Sequence, residues 1–367
     1  MIPPSLIVGE EGTSQMIQRF VVIMAGGAGK RFWPLSRRAR PKQLLALVDP
    51  TRSLLRRTFD RVVSMTPADH VLVVTGSAFE ADVRRDLPEI PAENILVEPI
   101  GRNTAPCIAW ATAVIAGRHL DAAIAVLPSD HHIRDETSFR AHLELAFRSI
   151  ESGPGGASPI ALLGIVPTHA ETGYGYIRAG GSGVIRAVEA FVEKPDRKTA
   201  ESYLMSGQYL WNAGLFVFRA ERMQSELAAQ LPELERSVRS MMREGVSREV
   251  FASLPSISID YGVMEKAGGL IVLPSSFGWS DVGSFDAIYA EHAKDESENV
   301  ALGDALIVGA SGSLVDARAG RVVAVVGASD LIVVDTKDAV LVTRRGHSQD
   351  VQKAVALLEE AGRTELL

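Results

Sequence analysis

Val21-Val-Ile-Met-Ala-Gly-Gly-Ala-Gly-Lys-Arg-Phe-Trp-Pro-Leu-Ser36, continuing to Arg40-Pro-Lys-Gln43, is the stretch on which the fold turns. The apolar run from Phe20 to Met24 has no polar alternation and is rich in β-branched residues, the pattern of a strand buried on both faces of a parallel sheet. The turn after it carries Gly26, Gly27 and Gly29, followed by cationic side chains at Lys30, Arg31, Arg37, Arg38, Arg40 and Lys42. Glycines let backbone N–H groups converge on an anion, and the cations add full charges there. The combination points to a phosphate cradle, with a tight strand-to-helix connection as the plainer alternative.

Two other phosphate motifs fail on spacing. A dinucleotide fingerprint needs a third glycine, but Gly27-Ala-Gly29 leads into Lys30, Arg31 and Phe32. A P-loop needs Gly-Lys-Ser/Thr, and here Gly29-Lys30 meets Arg31.

Working outward, the 367 residues suffice for one large α/β domain and a smaller unit. Lys and Arg total 38 against 45 Asp and Glu, a net charge of −7. That balance argues against nucleic-acid binding and makes the basic cluster at 30–42 stand out. Cys107 is the only cysteine, so neither a disulfide framework nor a thiolate zinc site is expected. No apolar run approaches a membrane span, and residues 1–17 read as a flexible extension without a signal-peptide core. A cytoplasmic location with no membrane partner is the resulting expectation.

From residue 20 to about 290, strand-like and helix-like stretches alternate. They predict an α/β fold, a Rossmann-like and mostly parallel sheet sandwiched by helices. Asn103 is placed to cap a helix over 104–118, whose N-terminus at Thr104 offers N–H groups to an anion or a base edge. Asp130 follows the apolar strand 123–127, where open α/β sheets bind ligands, although a turn cap would use the same residue. The adjacent His131 and His132 are given structural roles. Glu171-Thr-Gly-Tyr174-Gly175-Tyr-Ile177 reads as a glycine–aromatic loop of the kind that closes over a sugar ring. Glu193-Lys194 ends a strand and could equally be an exposed ion pair. Residues 220–243 are expected to be helical and mostly solvated. Asp281 lies in the turn Gly278-Trp-Ser-Asp-Val-Gly283, and Asp130 and Asp281 together could hold one Mg²⁺, which takes one or two carboxylates plus phosphate oxygens.

Beyond Glu298 short strands alternate with Gly, Asp and Ser turns, and a helix over 349–361 closes the chain. This predicts a small C-terminal β module, short and β-helix-like, with no catalytic group and with apolar edges suited to self-association.

Taken together, Gly26-Gly27-x-Gly29-x-Arg31, Pro41-Lys-Gln43, Glu98-Pro-Ile-Gly-Arg-Asn-Thr-Ala-Pro106, Leu127-Pro-Ser-Asp-His131, Phe191-Val-Glu-Lys-Pro195, Asn212-Ala-Gly-Leu-Phe216, Ser258-Ile-Asp-Tyr261 and Gly278-Trp-Ser-Asp-Val-Gly283 resemble, in order, the sugar-1-phosphate nucleotidylyltransferases. The fuller set is similar to the family's mannose-1-phosphate guanylyltransferases. Phe285 stands where that family's pattern has Trp. The resemblance implies the nucleotide-diphospho-sugar transferase fold, with a catalytic domain over 18–292, a C-terminal β domain over 293–367, and a homodimer. It implies GTP and mannose 1-phosphate as substrates and Mg²⁺ as cofactor. By the same resemblance Gly26, Gly27 and Gly29 cradle the triphosphate, while Arg31 and Lys42 serve the reacting phosphates. Asn103 and Thr104 approach the nucleoside, Asp130 and Asp281 bind the metal, and Tyr174, Gly175, Glu193, Lys194 and Asn212 hold the sugar phosphate. Another nucleotide–hexose pair, or a non-catalytic subunit sensing nucleotide sugars, are the alternatives.

Overall fold

The computed structural model describes residues 17–27, 29–152 and 155–367, so the extension expected over 1–17 falls almost wholly outside it. The first strands are β1 (Arg19–Ala25), β2 (Val71–Gly76), β3 (Ile95–Glu98) and β4 (Ala123–Pro128), and a two-residue β5 (His132–Ile133) follows. Next come β6 (Ile160–Ile165), β7 (Gly175–Gly180), β8 (Arg186–Val192), β9 (Tyr209–Arg219), β10 (Leu270–Ser275) and a short β11 (Trp279–Ser280). Nine of them form one sheet in the order β3-β2-β1-β4-β9-β6-β10-β8-β7. β1 lies parallel between β2 and β4, with Val22 opposite both Leu72 and Val126. β9 runs antiparallel to β4 and β6, and β8 antiparallel to β7 and β10. The other strands of this sheet all point one way.

The unbroken apolar character of β1 has a direct cause. Phe20 and Val22 face one hydrophobic core while Val21 and Ile23 face the other, all within 1% of complete burial. β4 alternates likewise, Ile124 and Val126 to the first core and Ala125 and Leu127 to the second. Fully burying such a side chain stabilises the fold by about 1.5–3 kcal/mol, so both faces must be covered by helices.

The helices do this from both sides: α1 (Leu54–Val62), α2 (Glu80–Asp86), α3 (Thr104–Arg118), α4 (Glu136–Glu151), α5 (Arg197–Ser206), α6 (Ala220–Gln230), α7 (Pro232–Glu244) and α8 (Arg248–Ser253). The solvated helix expected over 220–243 is two helices, because Pro232 cannot continue the hydrogen-bond ladder and starts α7 instead. Most positions of the segment are solvated as expected, and one face of it buries Met223, Leu227, Leu234, Val238 and Met241 in the core that α3 shares.

After α9 (Phe285–Glu291) come the short strands β12 (Val300–Gly303), β13 (Ala305–Val308), β14 (Leu314–Ala317), β15 (Val323–Val326), β16 (Leu331–Asp335) and β17 (Val340–Arg344), then α10 (Val351–Glu360). β12, β14 and β16 stack in parallel, as do β13 and β15, and β17 closes the first stack antiparallel. This β stack does not stand apart from the glycine-rich segment. Phe32, Leu45 and Leu47 share one buried cluster with Leu314, Ile332, Val334 and Val351. Trp33 Nε1 donates to the Leu366 carbonyl at 2.8 Å, and Arg318 Nη1 to the Ala46 carbonyl at 2.7 Å. The β stack therefore braces the loop between β1 and α1 from behind.

Candidate active site

A cavity of about 580 Å³ opens beyond the ends of β1, β3 and β4, and Gly26, Gly27, Asn103, Asp130, Glu193 and Asp281 are among its walls. Backbone requirements build its floor. Gly27 and Gly29 have φ of +101° and +59°, conformations that side chains resist. A Cβ on Gly29 would also lie 2.6 Å from the Lys42 Cβ. The loop is folded back on itself by Ser36 Oγ, which donates to the Gly29 carbonyl at 2.7 Å, and Gln43 Nε2, which donates to the Ala25 carbonyl at 3.0 Å. That folding carries Lys42 into the site while Arg31 stays exposed outside the cavity wall.

At the centre Lys42 Nζ lies 2.8 Å from Asp130 Oδ2 and 2.5 Å from the Asp281 main-chain carbonyl. Burial raises the Asp130 carboxyl, but the Lys42 ammonium outweighs it and the group titrates below the ordinary aspartate range. Asp281 sits in a strained turn: the next residue, Val282, has φ of +45°, an outlier for a β-branched side chain. Val282 tolerates this because it is fully buried in the cluster around Phe32 and Phe285. Asp281 Oδ1 accepts from Tyr174 Oη at 2.7 Å and from Gly283 N at 3.1 Å. Burial first, and then the Asp281 charge, push the Tyr174 phenol far up, so it acts as a donor. His131 takes a hydrogen bond on Nδ1 from Trp279 Nε1 at 3.1 Å, and burial holds its imidazole down at about 4, hence neutral at pH 7. The structural role expected for His131 fits that pairing.

The two carboxylates suit a divalent cation. They are hard oxygen donors on one cavity, each with one oxygen taken up by a neighbouring donor. Among the described residues no cluster of three or more His, Cys, Asp or Glu could hold a metal, so phosphate oxygens would have to complete the coordination shell.

On one side of this centre lies a second group of polar residues. Glu193 Oε1 pairs with Lys194 Nζ at 3.0 Å, while Glu193 Oε2 is buried without a partner. A Cβ on Gly175 would come within 2.4 Å of that free oxygen, so glycine is required there for Glu193 to face the cavity. Asn212 Nδ2 donates to Asp260 Oδ1 at 2.8 Å and its own carbonyl accepts from Gly214 N. Burial, with the Glu193 charge, pushes the Asp260 carboxyl up to about 6.

The opposite side differs from expectation in one respect. The amides at the start of α3 are not open for a ligand: Asn103 Oδ1 takes Thr104 N, and the Ile257 carbonyl takes Ala105 N. Thr104 Oγ1 accepts from Ile259 N at 2.9 Å, tying the two sides of the cavity together. The free polar group is instead Glu98. The residue is 7% exposed, its Oε1 is buried without a partner, and burial alone pushes the carboxyl up to about 7.

A nucleotidyl transferase family model matches residues 20–298. The chain belongs to that family. In this nucleotidyl transferase a second model, for the MannoseP isomerase/GMP-like β-helix domain, matches residues 303–358. A mannose-1-phosphate guanylyltransferase from Salmonella montevideo is 40% identical over 362 residues, covering 94% of this chain and 74% of that protein. The xanthan biosynthesis protein XanB of Xanthomonas campestris pv. campestris is 40% identical over 355 residues, with the same coverage. A crystal structure from Thermus thermophilus, described as a mannose-1-phosphate geranyltransferase, superposes with a TM-score of 0.83 at 35% identity. It covers 94% of this chain and 100% of that one.

Within this nucleotidyl transferase the cavity brings together every residue expected from sequence except Arg31, Gly29, Lys42 and Lys194, which stand just behind or outside its lining. Sequence reasoning missed Glu98 and Asp260. Both lie inside quoted motifs, but their signal is the absence of a partner or the presence of a neighbouring charge, and neither is written in local sequence.

Proposed function

We propose that this protein transfers GMP from GTP to α-D-mannose 1-phosphate, giving GDP-mannose and pyrophosphate. One observation carries the reading: a single cavity reaches across the sheet from Glu98 at the end of β3 to Glu193 after β8, with Asp130 after β4 between them and Lys42 paired to it. Two substrates and a central phosphate crossing fit that layout. Relatives at 40% identity bearing the guanylyltransferase name support the choice of substrates.

A sugar-phosphate oxygen forms a bond to the α-phosphorus as the bond from that phosphorus to the pyrophosphate oxygen breaks. The nucleophile is already largely ionised near pH 7, because the second pKa of a phosphate monoester is about 6. No general base is needed. Gly26, Gly27 and Gly29 bring backbone N–H groups to the triphosphate, and Lys42 and Arg31 offset charge developing on the reacting phosphates. Asp130 and Asp281 would hold Mg²⁺, which when bound draws phosphate oxygens together and polarises the α-phosphorus. Glu193 and Asn212 orient the sugar hydroxyls beneath Tyr174 and Gly175, and Lys194 pairs with the sugar phosphate. Asn103 and Thr104 wall the nucleoside half. Glu98 reads the base, since guanine alone among the common bases presents N1–H and N2–H₂ side by side to a carboxylate.

In this reading residues 18–292 are the catalytic unit and residues 293–367 the β unit that braces its loop. The reaction is taken to be cytoplasmic, where nucleoside triphosphates and sugar phosphates are available. The outer face of β13–β15 supports a homodimer: Leu306, Val308 and Val326 are 53%, 59% and 69% exposed, and Val308 pairs with Val326 across the strands. The double substitution Val308→Glu, Val326→Glu is expected to leave a monomer by light scattering. A dimer that persists would remove this face from consideration.

Pyrophosphate release measured across nucleoside triphosphates and hexose 1-phosphates, with and without Mg²⁺, tests the function. The fastest release is expected with GTP and mannose 1-phosphate in Mg²⁺. A different best pair would redirect the substrate assignment, and no release with any pair would overturn the enzyme reading.

A further inference from the structure

Lys42 does more in this structure than wait for a phosphate. Its side chain is 10% exposed and its ammonium is held by Asp130 Oδ2 at 2.8 Å and by the Asp281 carbonyl at 2.5 Å. It thus makes an ion pair with one carboxylate of the metal pair and a hydrogen bond to the backbone of the other. We infer that Lys42 and the divalent cation compete for this carboxylate cleft, so that the metal site becomes complete only as a triphosphate draws the lysine away. The inference rests on the assignment of Asp130 and Asp281 as the metal-binding pair.

Three features support it. An ammonium on Asp130 Oδ2 strongly repels a divalent cation drawn to the other oxygen of the same carboxylate, and Mg²⁺ requires close oxygen ligands in a near-octahedral shell. The two carboxylates alone supply too few ligands, and among the described residues no further His, Cys, Asp or Glu completes a cluster. Lysine is also a compact charge on a flexible four-carbon stem, able to change partners without moving the backbone. The backbone here is fixed: Gly29 packs against the Lys42 Cβ and main chain, and Lys42, Gln43 and Leu44 are buried. A triphosphate arriving on Gly26 and Gly27 offers Lys42 a richer anion, leaves Asp130 open, and brings the missing oxygen ligands in the same event. By linkage, metal and nucleotide then strengthen each other's binding equally.

The test is Mn²⁺ binding to the nucleotide-free full chain, read from the loss of the free-ion signal in electron paramagnetic resonance. Wild type, Lys42→Met and Asp130→Asn are compared, each first checked for native circular dichroism. Lys42→Met is expected to bind Mn²⁺ roughly tenfold more tightly than wild type, within the ordinary range of site-to-site coupling, while Asp130→Asn binds more weakly. Equal or weaker binding in Lys42→Met, with Asp130→Asn still impaired, would refute the competition and leave the metal assignment standing. Wild-type affinity in Asp130→Asn would instead refute the metal assignment, and the competition with it.

Discussion

Asp281→Asn is expected to lower kcat for GDP-mannose formation by about 10²-fold or more at saturating Mg²⁺, with little loss of stability. Removing one preorganised charge-stabilising contact costs about 10²–10³ in rate, and loss of a metal carboxylate belongs at the upper end because it removes both a charge and a ligand. The fold should hold because asparagine keeps the side-chain carbonyl. Tyr174 Oη and Gly283 N, which donate to Oδ1 at 2.7 and 3.1 Å, retain their acceptor. The strained turn is also pinned by Val282, buried against Phe285, and the substitution does not touch it. The measurement is pyrophosphate release against Mg²⁺ concentration, paired with a thermal melt. Wild-type turnover in a well-folded variant would refute the assignment of Asp281 to the metal.

What the sequence makes readable follows from what is local. β1 announces itself because a strand covered on both faces must be apolar at every position, and Phe20 to Ile23 supply both cores alternately. Asp130 and Asp281 are readable because each ends an apolar or glycine-bounded run at the mouth of the sheet. Pro232 is visible in the sequence, yet the apolar period on either side of it suggests one helix where the structure has two. The bracing of the glycine-rich loop by the β stack is not readable at all. Its contacts join Trp33 to Leu366 and Ala46 to Arg318, partners separated by most of the chain. The N-terminus of α3 misleads in the opposite sense: Asn103 marks the cap correctly, but the Ile257 carbonyl that takes the next amide comes from a distant loop. Glu98 and Asp260 share this limit, for their importance lies in what surrounds them.

Glu98→Gln is the sharper test of specificity. The buried carboxyl has an unpaired oxygen and is pushed by burial from 4.5 to about 7. A buried polar group without a partner costs about 1–3 kcal/mol, more when charged, so its retention calls for a ligand donor. Guanine supplies two adjacent donors to a carboxylate's two acceptors, whereas uracil and thymine offer one N–H flanked by carbonyls that a carboxylate repels. Glutamine, with one donor and one acceptor, reverses that preference. The ratio of kcat/KM for GTP over UTP is expected to fall by about 10²–10³ in the variant, because a site built around specific hydrogen bonds discriminates far more strongly than an apolar one. The pH dependence has a fixed sign. Wild-type GTP affinity should strengthen as pH rises through about 7, as Glu98 ionises, and the variant should lack that component. Stability moves the opposite way. A carboxyl whose folded-state pKa is raised contributes stability below its ordinary value that is lost as pH rises from there through about 7. Between pH 5 and pH 8 the variant should therefore gain on wild type by up to about 3 kcal/mol in unfolding free energy, at about 1.4 kcal/mol per unit. Unchanged base preference together with this stability gain would show that Glu98 is buried and strained, but that the base is read elsewhere.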